Sequence, residues 1–274
     1  MIVLCTGCRS GFGLLIAVHA AKAGHTVYAG LRDLSTKGDL VEAARGLDVR
    51  PVQLDVTDAA QRAAVVEAIV SEHGRIDALV NNAGVALGGF QEQVAEDELR
   101  HLFDVNVFAP WALTKLCLPH LRAQREGVVI NITSMSGRQA MPGLGAYAGS
   151  KFALEGFSEA LRHEMRPFGV RVVLVEPGPF ETDIMGRNRT IAADAETTGG
   201  PYAVYMRRME GLLDKMKDRM GDPREVADLV VRLLDDPSPR LRYPLGPGVS
   251  ARLWARRVLP FEAVERILER VVGF

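Results

Sequence analysis

The stretch IVLCTGCRSGFGLLIAVHAAKAG, residues 2–24, passes from a short apolar run through a glycine-bearing loop into a longer apolar-rich segment. Its first five residues read as a buried strand. Residues 13–24 read as a helix ending at Gly24, a natural C-terminal cap. Between them, TGCRSGFG (6–13) carries Gly7, Gly11 and Gly13. Glycine permits a sharp turn and lets main-chain N–H groups approach a pyrophosphate, while the helix N-terminus adds favourable partial charge. A glycine loop alone is weak evidence; in strand–loop–helix context it predicts a dinucleotide-binding start to an α/β fold.

The remaining chain repeats that alternation. TVYAGL (26–31), VRPVQLDV (49–56), DALVNN (77–82), VVINIT (128–133) and VRVVLVEP (170–177) read as strands, and LRYPLG (241–246) as a last short one. Pro51 lacks a ladder donor, so its strand belongs at an edge or begins there. Thr57 or Asp58 caps a helix reaching His73, and helical patterns cover 96–125, 147–167 and PREVADLVVRLLDD (223–236). Strands that are apolar nearly throughout and alternate with helices imply a parallel sheet covered on both faces. Right-handed crossovers then give a doubly wound α/β fold, with its ligand beyond the carboxyl ends of the strands. One domain spanning residues 1–274 is expected, with residues 180–222 as a helical substrate lid within it.

Composition narrows the partners. Lys and Arg number 33 against 34 Asp and Glu, so the strong positive balance of a nucleic-acid binder is missing. No leader pattern and no apolar run near ~18 residues is present, which points to a cytoplasmic chain without a membrane span. Cys5, Cys8 and Cys117 form no disulfide framework, and Cys5-x-x-Cys8 lacks the second pair that a zinc site needs. The six histidines lack ligand spacing, so no metal site is expected.

The second strand ends GLRD, residues 30–33. An acid at its end would grip the adenosine ribose hydroxyls. Leu31 stands there instead, Arg32 follows, and Asp33 comes late. Leucine does not repel a 2′-phosphate, and a guanidinium suits one. NADP(H) is therefore expected over NAD(H), with Arg32 as the main contact and Arg9 as helper.

YAGSK (147–151) sets Tyr147 and Lys151 on one helix face, ~6 Å apart. An ammonium there favours the phenolate and lowers a phenol pKa normally near 10, as would the oxidised nicotinamide ring. Such a pair suits proton exchange with a carbonyl that receives hydride. Ser134, just after the strand VVINIT, falls where such a sheet places its active site. Asn106 sits inside a helical pattern that disfavours asparagine, which suggests a kink or a bound water.

Together TGCRSGFG, Asp55 in LDV, NNAG (81–84), Asn106, Ser134, YAGSK and PGPFET (177–182) resemble the short-chain dehydrogenase/reductase family in its single-domain branch. VYAGLRDLSTKGDLVEAA and SKFALEGFSEALRHEMRPFGV are similar to its 17β-hydroxysteroid dehydrogenase type 1 and retinol dehydrogenase group. The resemblance implies a Rossmann fold and a catalytic tetrad of Asn106, Ser134, Tyr147 and Lys151. In it Tyr147 is the acid/base, Lys151 tunes it and holds the nicotinamide ribose, Ser134 positions the carbonyl, and Asn106 holds a water. It assigns Gly7, Arg9, Ser10, Gly11, Phe12, Gly13, Arg32, Asp55, Val56, Asn82, Ala83, Gly84, Tyr147, Lys151, Pro177, Gly178 and Thr182 to the cofactor. Phe12 for isoleucine or leucine and Gly149 for alanine depart from the family without removing a chemical group. A lipophilic ketone, alcohol or aldehyde and a homodimer or homotetramer through the helices at 106–125 and 147–167 are also implied.

Ser134, Met141, Leu144, Tyr147 and Met185 are the substrate candidates. Met185, Met206, Met209, Met216 and Met220 line up either for an adaptable apolar pocket or for plain packing. Glu181, Arg187 and Arg189 would instead meet a polar substrate. The tail ARLWARRVLPFEAVERILERVVGF (251–274) suits pocket covering or oligomer packing better than a membrane surface. A cofactor-sensing regulator without turnover is the alternative function, although it would not need Tyr147 and Lys151. The missing G-x-S-x-G elbow argues against a serine hydrolase.

Overall fold

The computed structural model describes residues 1–182, 189–195, 200–216 and 219–272. In chain order these form β1 (Ile2–Thr6), α1 (Gly11–Lys22), β2 (Thr26–Leu31), α2 (Gly38–Ala43), β3 (Val49–Gln53), α3 (Ala59–His73) and β4 (Ala78–Asn81). Then come β5 (Ala86–Gly88), α4 (Glu96–Phe103), a π-turn at Asp104–Phe108, α5 (Ala109–Gln124), β6 (Gly127–Ile132), α6 (Gly145–Met165) and β7 (Val170–Pro177). The chain continues through β8 (Arg189–Ile191), α7 (Ala203–Met216), α8 (Arg224–Asp235), β9 (Arg242–Leu245), α9 (Val249–Val258) and α10 (Phe261–Val272).

The main sheet has seven strands in the order β3-β2-β1-β4-β6-β7-β9, and every pairing is parallel. The chain winds outward from β1 to β3, then restarts at β4 on the other side. The strand order therefore reverses between β1 and β4, which opens a crevice beyond their carboxyl ends.

Both faces of the sheet are covered, which is why its strands are apolar throughout. One core layer joins it to α1 and α8 through Ile16, Ala20, Val226 and Val230. The other joins it to α3, α5 and α6 through Val66, Ile69, Leu113, Leu121 and Met165. Each buried Val, Leu, Ile or Met among these contributes about 1.5–3 kcal/mol relative to exposure. β3 is an edge strand, where the missing Pro51 donor is tolerated. Asp58, rather than Thr57, caps α3 by accepting from the main-chain N–H groups of Ala60 and Gln61.

Three features refine the sequence reading. β3 stops at Gln53 instead of Val56, because Asp55 Oδ1 accepts from the Thr57 main-chain N–H at 2.9 Å and its hydroxyl at 2.7 Å, turning the chain. The helical pattern over 96–125 is interrupted by the π-turn around Asn106, the kink that asparagine suggests there. A second, two-stranded sheet pairs β5 with β8; three-residue strands are too short to show an alternation pattern. Among the described residues, no helix is long and apolar enough to cross a membrane.

Candidate active site

The glycine loop leaves β1 with Gly7 at φ +71°, a conformation that disfavours side chains. A Cβ on Gly7 would come within 2.8 Å of Ala83 Cα. A Cβ on Gly13 would collide with the Gly7 carbonyl, so α1 can start tight under the loop only without one. Asn82 stitches this loop to the end of β4. Its Nδ2 donates to Thr6 O at 2.9 Å and Gly7 O at 3.2 Å, and Thr6 Oγ1 accepts from the main-chain N–H groups of Asn82 and Ala83. The two strands flanking the switch point are thereby locked together.

Above them opens a cavity of about 580 Å³. Its walls include Gly7, Arg9, Ser10, Gly11 and Phe12 from the loop, and Leu31, Arg32, Asp55 and Val56 from the ends of β2 and β3. Asn82, Ala83, Gly84, Pro177, Gly178 and Thr182 also line it. Thr182 Oγ1 is buried without a hydrogen-bond partner, so it has a free donor and acceptor for a bound group. Arg9 and Arg32 are exposed at one end. Asp33 is occupied locally, its Oδ1 accepting from the Ser35 main-chain N–H at 2.9 Å. The loop cradle, the orphaned Thr182 hydroxyl and the two cations beside Leu31 suit a phosphorylated dinucleotide.

Ser134, Tyr147 and Lys151 meet in the same cavity, with Met141 and Leu144 beside them. Ser134 follows β6 and its Oγ accepts from the Ser136 main-chain N–H at 3.0 Å, which fixes the hydroxyl. Tyr147 and Lys151 project from the first turns of α6. Lys151 Nζ donates to Ile132 O at 3.2 Å and lies 5.8 Å from the Tyr147 ring centroid. Burial depresses the Lys151 ammonium to about 8, and nearby Glu155 opposes the shift.

The phenol behaves otherwise than the sequence suggests. Burial pushes Tyr147 up to about 12, against a smaller downward pull from its hydrogen bond with Ser134. The ring is only 8% exposed, and the loss of hydration outweighs a lysine whose ammonium is turned toward a carbonyl. Tyr147 thus holds its proton in the ligand-free protein.

Two of the expected residues do not touch the cavity. Gly13 lies behind the loop, where its lack of a side chain shapes the turn. Asn106, 1% exposed, anchors the second layer: it accepts from Val85 N at 2.9 Å and donates to Val85 O at 2.9 Å and Ser150 Oγ at 3.1 Å. A Cβ on Gly84 would stand 3.3 Å from Asn106 Oδ1 and 3.6 Å from Lys151 Nζ, so all three converge. Met185 and Arg187 lie outside the described residues. Met209 and Leu212 of α7 line the cavity, whereas Met206 is buried in packing.

Further groups join the lining beyond the site candidates named from the sequence. Gln139 and Met135 follow Ser134, His101 comes from α4, and Arg252, Ala255, Arg256, Leu259, Val264, Ile267 and Leu268 come from α9 and α10. The tail therefore covers the cavity, one of the two roles its sequence suggested. Behind the site lies a buried charge cluster. Glu176 meets Arg138 at 3.1 Å and Arg242 at 3.3 Å, while Glu155 meets Arg242 at 3.0 Å. Burial, with Glu155 adding to it, raises the Glu176 carboxyl to about 7. The signal was a charge inside the apolar run VRVVLVEP, and another one turn past Lys151.

Comparison with known proteins agrees with this geometry. Residues 1–192 match the family described as short chain dehydrogenase. An uncharacterized oxidoreductase, YusZ, of Bacillus subtilis is 38% identical over 98% of this chain and 97% of its own. Human 17-beta-hydroxysteroid dehydrogenase type 1 is 37% identical over 88% of this chain and 76% of its own. The crystal structure of a short-chain dehydrogenase from Streptomyces avermitilis superposes with a TM-score of 0.84 at 35% identity, covering 98% of this chain and 94% of that one. By loop, strand order and sequence alike, the chain belongs to the short-chain dehydrogenase/reductase family of oxidoreductases.

Proposed function

We propose that the protein is an NADP(H)-dependent oxidoreductase interconverting a carbonyl and an alcohol on a lipophilic substrate. The observation that carries this is the meeting of Ser134, Tyr147 and Lys151 in one cavity whose floor is the glycine loop. Gly7, Ser10, Gly11 and Phe12 would hold the pyrophosphate side, Asp55 and Val56 the adenine, and Thr182 the carboxamide. Arg32, helped by Arg9, would pair with the 2′-phosphate, since Leu31 offers no competing carboxylate. The bound cofactor supplies or accepts the hydride.

The protein's own part is proton chemistry and orientation. The Ser134 hydroxyl holds the carbonyl oxygen. Tyr147, protonated at neutral pH, passes its proton to the developing alkoxide. The Lys151 ammonium stabilises the phenolate left behind, and Asn106 fixes the main chain at Val85 beside the lysine. Met141, Leu144 and the apolar residues of α7, α9 and α10 exclude water from the step. Met209 and Leu212 of α7, lining the cavity, support residues 180–222 as the lid over this pocket. Exposed Phe108, Trp111, Phe152 and Phe157 on the helices at 106–125 and 147–167 support a homodimer or homotetramer built through them.

The test is cofactor oxidation with NADPH and NADH in parallel across steroid, retinoid, aliphatic and aromatic carbonyls. Turnover of a lipophilic carbonyl with NADPH preferred is the expected result. Tight NADPH binding with no turnover across the panel would favour the sensor instead.

A further inference from the structure

Among the described residues, the cation at the substrate end of the cavity has no counter-charge. Arg252 on α9 is partly buried and lines the cavity, and the polar contact of its guanidinium is Met141 Sδ at 3.5 Å. Thioether sulfur is a weak acceptor that leaves most of the five donors unmet. Arg256, one turn further, also lines the cavity, and its Nε donates to Arg138 O at 3.1 Å. Among the described residues no ion pair engages either arginine, and the one carboxylate lining the cavity is Asp55, at the opposite, Arg32 end. The buried acids behind the site are taken: Glu176 and Glu155 are engaged by Arg138 and Arg242. Burial without compensation depresses the Arg252 guanidinium below its ordinary value.

A partly desolvated guanidinium without a charged partner destabilises the empty protein. Its cost is offset when a ligand brings the missing anion, and a guanidinium fork fits a carboxylate with two parallel hydrogen bonds. The surrounding wall is apolar, with Met141, Leu144, Met209, Leu259 and Leu268. We infer that Arg252, assisted by Arg256, binds the carboxylate of a lipophilic oxo-acid or hydroxy-acid whose carbonyl or alcohol carbon sits at Ser134 and Tyr147. This rests on the oxidoreductase reading of the site and names its substrate class.

The experiment has a turnover arm and a binding arm. In the first, keto acids with increasing spacing between ketone and carboxylate are compared with their methyl esters in NADPH oxidation. The acid at the matching spacing is expected to exceed its ester at least tenfold in kcat/KM. Arg252→Gln should bring that ratio to about one, Arg252→Lys should restore part of it, and Arg257→Gln, at an exposed neighbour, should keep it. In the second arm, calorimetry measures decanoate and decanol binding to the NADPH-loaded protein. Decanoate should bind at least tenfold tighter than decanol, with the preference lost in Arg252→Gln. Equal affinities for decanoate and decanol, or a preference surviving Arg252→Gln, overturn the carboxylate site whatever the turnover. A weakened NADPH affinity in Arg252→Gln at unchanged decanoate preference would reassign the arginine to the cofactor. Preferential decanoate binding with no turnover of any carbonyl sustains the anion site and defeats the oxidoreductase reading instead.

Discussion

Glu155 Oε1 accepts a hydrogen bond from Thr133 Oγ1 at 2.7 Å, tying the helix that carries Lys151 to the strand end that precedes Ser134. Its second oxygen meets Arg242 Nε at 3.0 Å. The carboxylate lies one turn beyond the lysine and is the group that holds the Lys151 ammonium up against burial. In Glu155→Gln the lysine should lose its proton at lower pH. The alkaline limb of the kcat profile, expected near the Lys151 value of about 8, should move acidward, with a stability loss of about 1–3 kcal/mol. A limb that stays in place would separate Glu155 from the lysine's protonation.

Glu176 gives the fold a pH dependence of its own. Its folded carboxyl lies at about 7, above the ordinary 4.5. An acid raised in the folded state contributes fully below the unfolded value, and that contribution is lost as pH climbs through the folded one. Wild type should therefore lose on the order of 2–3 kcal/mol relative to Glu176→Gln between about pH 4.5 and 7. Denaturant titrations of both proteins across that window measure it, and parallel curves would remove Glu176 as the cause.

Cofactor choice should turn on Leu31 and Arg32. Leu31→Asp puts an anion at the end of β2, where a 2′-phosphate would be repelled and ribose hydroxyls bound. The ratio of kcat/KM for NADPH over NADH should fall by about two orders of magnitude, and Arg32→Ala should lower it about tenfold. An unchanged ratio in both variants would remove these residues from cofactor selection.

Gly13→Ala tests the loop without touching the cavity. The added methyl would strike the Gly7 carbonyl, so the loop or α1 must shift. A loss of about 1–3 kcal/mol in unfolding free energy and at least tenfold weaker NADPH binding are expected. Fluorescence titration of NADPH reads the second; wild-type affinity would mean that the loop relaxes freely.

The sheet, its edge strand and the line-up of Ser134, Tyr147 and Lys151 were legible because they rest on local signals. Apolar runs, a proline, a glycine loop and an i,i+4 pair are all visible within a few residues. What escaped needed distance. Glu155, Glu176, Arg138 and Arg242 meet from α6, β7, the segment after β6 and β9, and no single position shows which charge answers which. The place of Arg252 depends on α9 lying over Met141, which no periodicity announces. The direction of the Tyr147 shift was misread for a related reason. The spacing shows the lysine, but not the burial that outweighs it.

The central claim is tested most directly by single-turnover reduction in Tyr147→Phe, with NADPH affinity measured on the same sample. The account predicts a fall of roughly 10²–10⁴ in the chemical step with cofactor affinity within a few-fold of wild type. A variant that reduces its carbonyl at the wild-type rate would contradict it.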